Sequence, residues 1–351
     1  MLLKKLTEAA GVSSRESEVR DLIKEELENE VEELKTDALG NLIAFKSGDE
    51  EKPTLMLAAH MDEIGLMVTD INKDGLLSFK PIGGIDKRIL VSKKVAIGED
   101  KITGVIGAKA IHLQKPQERK KVLDYKELYI DIGAKSKKEA KQAVSIGDMV
   151  SFVSGYEELG TNAAKAKAID DRIGCAALIK TLKQDYDFPL YGVFTVQEEV
   201  GARGAQAVSY NINPDLALVV EGTTASDVPD SKEQSYSTTL GEGPALTMRD
   251  GGMIAHKDLV QEIINIAKKA EIDYQFRKST RAGTDGRAIH LTKEGIPTAV
   301  VSVPCRYIHS PASLINLADY QNTTKLVQQF CQELATEIGR ASCRERVFPV
   351  V

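Results

Sequence analysis

Apolar residues follow two different periods along this chain. In "SEVRDLIKEELENE" (17–30) they recur at helical intervals, and Ser13 with Glu16 has the spacing of a capping box before that helix. "TLMLAAH", which ends at His60, predicts a buried strand. After about residue 162, candidate strands and helices alternate as far as "DYQNTTKLVQQF". This alternation predicts an α/β fold, with a mixed sheet flanked by helices.

Between about residues 68 and 160 the pattern changes to short β-rich runs separated by Gly, Asp and Asn. Such closely spaced short strands predict a small β-barrel or sandwich. The strand ending at His60 is expected to join the later strands in one sheet. We therefore predict a discontinuous α/β domain (1–67 and 161–337) that is interrupted by an inserted β-barrel (68–160).

The last segment, 338–351, does not continue the apolar periodicity of the helix before it. Its "IGRASCRERV" resembles translated sequencing-adapter sequence, and we expect this tail to be non-native. We therefore leave it out of the functional interpretation.

Composition narrows the function classes. Hydrophobic residues make up 42% and charged residues 28% of the 351 residues, as in ordinary globular proteins. The formal net charge of -6 disfavours a general binder of nucleic acid or of an anionic membrane, and no apolar run has membrane-spanning length. The four cysteines are far apart and form no CxxC pair, which favours reduced thiols and a cytoplasmic location.

Several acids and histidines follow the apolar runs that are interpreted as strands. They are His60, Asp62, Asp170, Asp171, Glu198, Glu199, Glu221 and His309. Ligands of an open α/β sheet usually bind beyond the carboxyl ends of its strands, so these side chains are expected to converge. Imidazoles and carboxylates are the ligands of zinc and its first-row neighbours. Two metals about 3.5–4 Å apart would also offset the repulsion between several neighbouring acids.

Each of these signals has an ordinary structural explanation when it is taken alone. An Asp–Asp pair before a helix is commonly an N-cap, and a Glu–Glu pair at a strand end is usually solvated. The remaining histidines, His112, His256 and His290, are interpreted as structural. Asp285 and Arg287 could contact a substrate, although helix capping is the more usual role for Asp285. The prediction of a metal site therefore depends on the convergence of the whole set.

Five motifs carry a family resemblance. They are "AAHMDEIGLMV", "AIDDRIGCAAL", "TVQEEVGARGA", "VVEGTTASDVP" and "AGTDGRAIHLTKEGIPTAVVSVPCRYIHSP". In this order they resemble the di-zinc aminopeptidases that include the tetrahedral (TET) and glutamyl, or deblocking, aminopeptidases, some of which are labelled endoglucanases. The resemblance implies that the α/β domain is catalytic and that the insertion is a PDZ-like barrel for oligomerisation and substrate access. It also implies homo-oligomers, from dimers to hollow assemblies of twelve subunits.

The resemblance assigns a role to each site residue. It implies that His60 and His309 each bind one of two metals, that Asp170 bridges them and is followed by a cis peptide bond, and that Asp62 orients His60. Glu199 and Glu221 would be further metal ligands. Many relatives have Asp at the position of Glu221, and Asp227 in the same loop is a minor rival. Glu198 would be the general base.

The resulting hypothesis is an aminopeptidase that hydrolyses the first peptide bond of substrates with a free N-terminus. Glu198 would activate a water bridging two divalent metals, most naturally zinc, although cobalt and manganese accept the same ligands. The alternatives are a related two-metal carboxypeptidase, an N-acyl amino-acid deacylase, and an inactive binding protein. A metal-independent glycoside hydrolase is disfavoured because the chain has no Trp and only 5% aromatic residues.

Overall fold

The structure, a computed structural model, describes residues 1–232 and 235–336. The expected non-native tail lies outside these residues, so that expectation stays a prediction. The described residues form a mixed sheet, helices that pack against it, and a separate closed barrel of six antiparallel strands. The predicted α/β class with a mixed sheet and a β-barrel is therefore confirmed.

The large sheet contains eleven strands within the described residues. They are β1 (Glu33–Thr36), β2 (Leu42–Lys46), β3 (Leu55–His60), β10 (Glu157–Leu159), β11 (Ala163–Ala166), β12 (Leu190–Thr195), β13 (Leu216–Ala225), β14 (Ala245–Leu246), β15 (Gln275–Phe276), β16 (Thr298–Arg306) and β17 (Ser313–Asn316). The order along the sheet is β1-β2-β12-β3-β13-β16-β17-β11-β10, with β14 pairing with β15 and β16.

Four neighbouring strands at the centre of this sheet, β12, β3, β13 and β16, run parallel to one another. Almost every residue in them is buried, as expected for parallel strands with both faces covered. Their carboxyl ends meet at one edge of the sheet. The polar residues that follow these strands are thereby brought to the same place.

Eight helices lie within the described residues. They are α1 (Leu2–Glu8), α2 (Ser17–Leu27), α3 (Lys137–Ala143), α4 (Ile169–Leu182), α5 (Arg203–Ile212), α6 (Lys257–Lys269), α7 (Gly286–Ile289) and α8 (Leu317–Ala335). Helix α4 packs directly on β13 and β3. A Cβ on its Gly174 would lie 2.2 Å from the carbonyl oxygen of Val220, so only glycine allows this close approach. None of the described helices is long and apolar enough to cross a membrane.

The barrel is closed in the order β4-β5-β8-β7-β6-β9. Its strands are β4 (Gly65–Ile71), β5 (Leu77–Ile82), β6 (Lys94–Ile97), β7 (Ile102–Ala108), β8 (Leu128–Asp131) and β9 (Met149–Phe152). It has its own hydrophobic core, separate from the core of the large sheet. The chain enters the barrel a few residues after His60, at the edge of the large sheet where the carboxyl ends of its central strands meet. The domain boundaries proposed from the sequence stay predictions.

Two local predictions were wrong. Ser13 and Glu16 do not form a capping box: α2 begins at Ser17, and the Ser13 hydroxyl donates instead to Asp62. The run "GRAIHLTKEG" (286–295) also predicts a helix from its sequence, but the helix ends at Ile289 because the chain then makes turns towards β16. Short-range patterns fail at both places because a tertiary contact or a turn competes with the helix.

Candidate metal centre

The site forms where the central parallel strands end. His60 is the last residue of β3, Glu198 and Glu199 follow β12, and His309 follows β16. The sequence predicts that Glu221 follows its strand, but this residue lies inside β13. The strand continues to Ala225 because it stays paired with β16. Its side chain nevertheless lines the same cavity.

Asp170 lies between the two histidines. Its Oδ1 is 3.2 Å from Nε2 of His60, and its Oδ2 is 3.5 Å from Nε2 of His309. The same nitrogen of His309 is 3.4 Å from Oε1 of Glu199. Asp170, Glu199 and His309 each offer one donor atom, and these atoms all lie within 4.8 Å of one another. One carboxylate thus faces two imidazoles through its two oxygens.

The backbone at the start of α4 places Asp170 and Asp171 in different directions. The peptide bond between them is cis, and neither residue has helical backbone angles. Asp171 accepts hydrogen bonds from the backbone N–H of His60 at 3.0 Å and of Gly174 at 2.9 Å. Asp171 therefore ties the end of β3 to the start of α4, while Asp170 faces the cavity.

Asp62 connects the glutamate pair to His60. It accepts hydrogen bonds from the Ser13 hydroxyl at 2.6 Å and from the backbone N–H groups of Glu198 and Glu199 at 2.9 and 3.1 Å. One of its carboxylate oxygens is 3.4 Å from Nδ1 of His60. Burial alone would raise the pKa of Asp62, but the hydrogen bonds from His60 and Ser13 leave it lowered. Asp62 is a buried, ionised anchor beside the site.

The two adjacent glutamates have different partners. Glu199 faces His309, whereas Oε1 of Glu198 is 3.3 Å from Nη2 of Arg287. Burial raises the pKa of Glu199 to about 7 and raises the pKa of Glu198 above its usual range. Burial thus disfavours the ionised form of both carboxylates even beside Arg287 and His309, and further positive charge would favour it.

The cluster has more buried acid than its own cations can offset. Burial lowers the pKa of His309 but its hydrogen bond to Asp170 outweighs this and raises it to about 9. Burial also raises the pKa of Glu221, and no hydrogen bond reaches its carboxylate from residues 1–232 or 235–336. Buried carboxylates that lack compensation are typical of metal sites, and this set of oxygen and imidazole donors suits zinc, cobalt or manganese. The residues present therefore fit divalent metal ions.

An open cavity of about 370 Å³ gives access to this cluster. His60, Asp170, Glu198, Glu199, Glu221 and His309 all contribute to its wall. The sequence-predicted residues are therefore brought together, with Asp62 buried immediately behind them. His112, His256 and His290 do not line this cavity, and Asp227 pairs instead with Arg306 at 2.5 Å.

Two arginines on the cavity wall carry further positive charge. Arg277, which directly follows the short strand β15, had no sequence signal, and its charge lowers the pKa of Glu221 against the larger effect of burial. Arg287 was named as a possible substrate contact and reaches Glu198. Asp285 precedes α7 but makes no side-chain cap, because its carboxylate accepts a hydrogen bond from Thr195 at 2.5 Å.

An α/β fold with such a cluster of imidazoles and carboxylates at the strand ends is typical of metal-dependent hydrolases. The sequence profile of the M42 glutamyl aminopeptidase family matches residues 40–326, and the chain belongs to that family. It is therefore an aminopeptidase, a hydrolase that acts on peptide bonds, and membership of this metallopeptidase family implies the use of divalent metal.

Relatives of known name or structure cover nearly the whole chain. A putative aminopeptidase of Acetivibrio thermocellus is 41% identical over 94% of this chain and 98% of its own length. The crystal structure of a TET aminopeptidase from a marine sediment archaeon of the Thaumarchaeota has a TM-score of 0.93 and 36% identity, covering 97% of this chain and 98% of that one. The structure of the TET1 peptidase of Pyrococcus horikoshii has a TM-score of 0.84 and 33% identity, covering 94% of this chain and 98% of that one.

Proposed function

We propose that this chain removes N-terminal residues from peptides with two divalent metal ions and with Glu198 as general base. The observation that carries the proposal is Asp170, whose two carboxylate oxygens face one histidine each. A shared carboxylate between two sets of ligands is what a pair of metals about 3.5–4 Å apart requires.

The residues fall into two groups around Asp170. Glu199 and His309 would hold one ion, since they face each other at 3.4 Å. His60 and Glu221 would hold the other, and we expect zinc most naturally, with cobalt or manganese also accepted. When bound, such ions polarise the scissile carbonyl and lower the pKa of the attacking water.

Glu198 is the remaining carboxylate of the cavity, and it is free to move a proton. It would accept the proton of the attacking water and donate it to the nitrogen of the leaving peptide as the C–N bond breaks. Nη2 of Arg287 lies 3.3 Å from Oε1 of Glu198. The hydrogen bond from the backbone N–H of Glu198 to the Asp62 carboxylate fixes the backbone from which the side chain starts. Both contacts support the orientation of the base.

The substitution Glu198→Gln tests this role because it keeps the shape of the side chain and removes the base. We expect the variant and the wild type alike to bind about two metal ions per chain, and the variant to lose kcat/KM by about 10²–10⁴-fold. The matched variant Glu199→Gln should lose metal as well as activity. Near-normal turnover by Glu198→Gln, measured together with its metal content, would contradict the assignment.

A carboxypeptidase or an N-acyl amino-acid deacylase could use a similar site, and substrates distinguish them. An aminopeptidase should hydrolyse aminoacyl nitroanilides and should fail on the same compounds with a blocked amine. The reverse preference would favour the deacylase. Family membership already disfavours the glycoside hydrolase.

We also propose how the rest of the molecule serves this activity. Residues 68–160 would be a PDZ-like insertion in a catalytic domain of residues 1–67 and 161–337, and would contribute to oligomerisation and substrate access. The TET1 peptidase of P. horikoshii can assemble into a tetrahedron or a large octahedral shell, which supports a homo-oligomer here. Cys175, Cys305 and Cys331 are buried free thiols, which suits a reducing cytoplasm.

A further inference from the structure

One edge of β13 is open beside the metal centre. Strand β13 pairs with β3 only from Leu216 to Val219, whose partner is Ala58. At His60, the last residue of β3, the backbone N–H bonds instead to Asp171 at the start of α4. On its other side, β13 stays paired with β16 as far as Ala225. Beyond Val219, the edge that β3 leaves has no neighbouring strand among the described residues. Unpaired backbone groups of this kind must find a partner or remain hydrated.

The alternation of the strand shows which backbone groups face this open edge. The N–H of Leu216 bonds to Thr54, just before β3, and the N–H of Ala217 bonds to Pro297, just before β16. The backbone N–H and C=O groups of the even-numbered residues of β13 therefore point towards the β3 side. Gly222 and Thr224 are the even-numbered residues that follow the end of β3.

The open stretch is short and has defined limits. On one side, α4 covers Val220, whose carbonyl oxygen lies 2.2 Å from the place that a Cβ on Gly174 would take. On the other side, Thr238 accepts a bond from the N–H of Ser226 and donates its hydroxyl to the carbonyl of Thr224. Three groups are left: the N–H and carbonyl of Gly222 and the N–H of Thr224. No group of residues 1–232 or 235–336 bonds to them.

These three groups face the substrate cavity. Gly222, Thr223 and Thr224 form part of its wall together with Glu198 and His309. Gly222 directly follows the proposed ligand Glu221, and a Cβ on Gly222 would lie 3.2 Å from the Cβ of Asp170. The open edge therefore begins at the metal centre and leads away from it.

We propose that a peptide substrate binds along this edge as an added parallel strand, with its third residue paired to Gly222 and Thr224. This proposal rests on the proposed function, which places the free amine and the first peptide bond at the acid cluster. The rest of the peptide then runs in the same direction as β13, from Glu221 towards Ala225. In a parallel ladder, one residue donates its N–H to Gly222 and accepts the N–H of Thr224.

The position of that residue follows from the same ladder. The N–H of Gly222 faces the carbonyl two residues earlier in the substrate. If that carbonyl belongs to the scissile bond of residue one, the residue that bridges Gly222 and Thr224 is residue three. Recognition through main-chain bonds accepts any side chain at that position. The edge thus selects peptides of at least three residues and leaves sequence preference to other parts of the cavity.

N-methylated substrates test this arrangement in the wild-type enzyme. The backbone N–H groups of successive residues in a strand point to opposite sides. The N–H of residue three should therefore bond to β13, and that of residue four should not. We compare a tetrapeptide amide, with its first residue chosen by an aminoacyl nitroanilide panel, with versions methylated on the nitrogen of residue three or residue four. Methylation at residue three should lower kcat/KM by about 5–10-fold, and methylation at residue four by less than about 2-fold.

The substitution Thr224→Pro gives a second test, because it removes the backbone N–H at an open edge, where proline is tolerated. The ratio of kcat/KM for the tetrapeptide to kcat/KM for the nitroanilide should fall by about 5-fold relative to Thr224→Ala, which keeps the N–H. The nitroanilide has no third residue and reports the proposed function separately.

The outcomes separate the two claims. Equal effects of the two methyl groups, with both parent substrates hydrolysed, would overturn the added strand and leave the aminopeptidase function standing. Failure to hydrolyse either parent substrate would overturn both claims.

Discussion

At the scale of single residues, Glu198 and Glu199 are neighbours in the chain, yet their carboxylates face different groups. Gln197 before them has a positive φ of 57°, so the chain turns sharply after β12. Asp62 then accepts the backbone N–H of both glutamates. The turn and these two hydrogen bonds let one side chain face His309 and the other face Arg287.

Asp62 is therefore predicted to control metal affinity although it would bind no metal. In Asp62→Asn, an amide NH₂ replaces one acceptor oxygen, so at least one bond from Ser13, Glu198 or Glu199 is lost. We expect metal affinity to fall about 10–100-fold, measured by competition with a chelator.

Asp227→Asn is the matched control, because Asp227 pairs with Arg306 away from the cluster. Its metal affinity should stay within about 2-fold of the wild type. Equal affinity in the Asp62 variant and the wild type would contradict the role of Asp62.

Site residues could be predicted from the sequence where a polar residue interrupts or ends an apolar run. His60 ends one almost wholly apolar strand and the glutamate pair follows another, so their polarity is conspicuous. Arg277 lies directly after a two-residue strand within a polar stretch, and nothing in its surroundings distinguishes it from a solvated arginine. Its place in the cavity depends on the pairing of β15 with β14, which local sequence does not encode.

At the scale of elements, a buried group of charges joins the N-terminal helices to the site. Nζ of Lys167 lies 2.7 Å from Oε1 of Glu63 and donates to the carbonyl of Ala9 at 2.8 Å. Arg172 donates to the carbonyl of Met61 at 2.8 Å. These residues are buried, so the bonds fix the loop after β3 against α1 and α4.

Removing one partner of this group is predicted to destabilise the fold strongly. Lys167→Met leaves the Glu63 carboxylate buried with the more distant Arg172 at 3.6 Å and the backbone N–H of Gly11, and we expect the free energy of unfolding to fall by about 3–5 kcal/mol. The double variant Lys167→Met/Glu63→Gln should lose less than the sum of the two single variants, because it leaves no unpaired carboxylate. Urea unfolding measures all three. Strict additivity would contradict a direct interaction between the two side chains.

The types of most elements could be predicted, but some of their ends could not. Helices α2 and α6 show clear apolar periodicity and lie close to where the pattern indicates them, whereas α4 is buried on nearly all sides and has no such periodicity. Strand β13 is longer than its apolar run because pairing with β16 extends it past Glu221. That extension creates the open edge beside the metal centre, and it could not be predicted without the partner strand.

At the scale of the whole molecule, the change from βα alternation to short strands predicted two structural units. The structure has a mixed sheet and a closed barrel with separate cores. The order of strands within each unit could not be predicted, because it depends on contacts between residues distant in the sequence. For example, β3 lies between β12 and β13, which follow it by more than a hundred residues. This order brings His60 next to the glutamate pair and Glu221.

The central claim is that peptide hydrolysis depends on two divalent ions held around Asp170. Its most direct test is to strip the protein with a chelator and then titrate it with zinc, cobalt or manganese. Bound metal and hydrolysis of an aminoacyl nitroanilide are measured at each step. We predict no activity in the stripped protein and a maximum as binding approaches about two ions per chain. Full activity without bound metal would contradict the account.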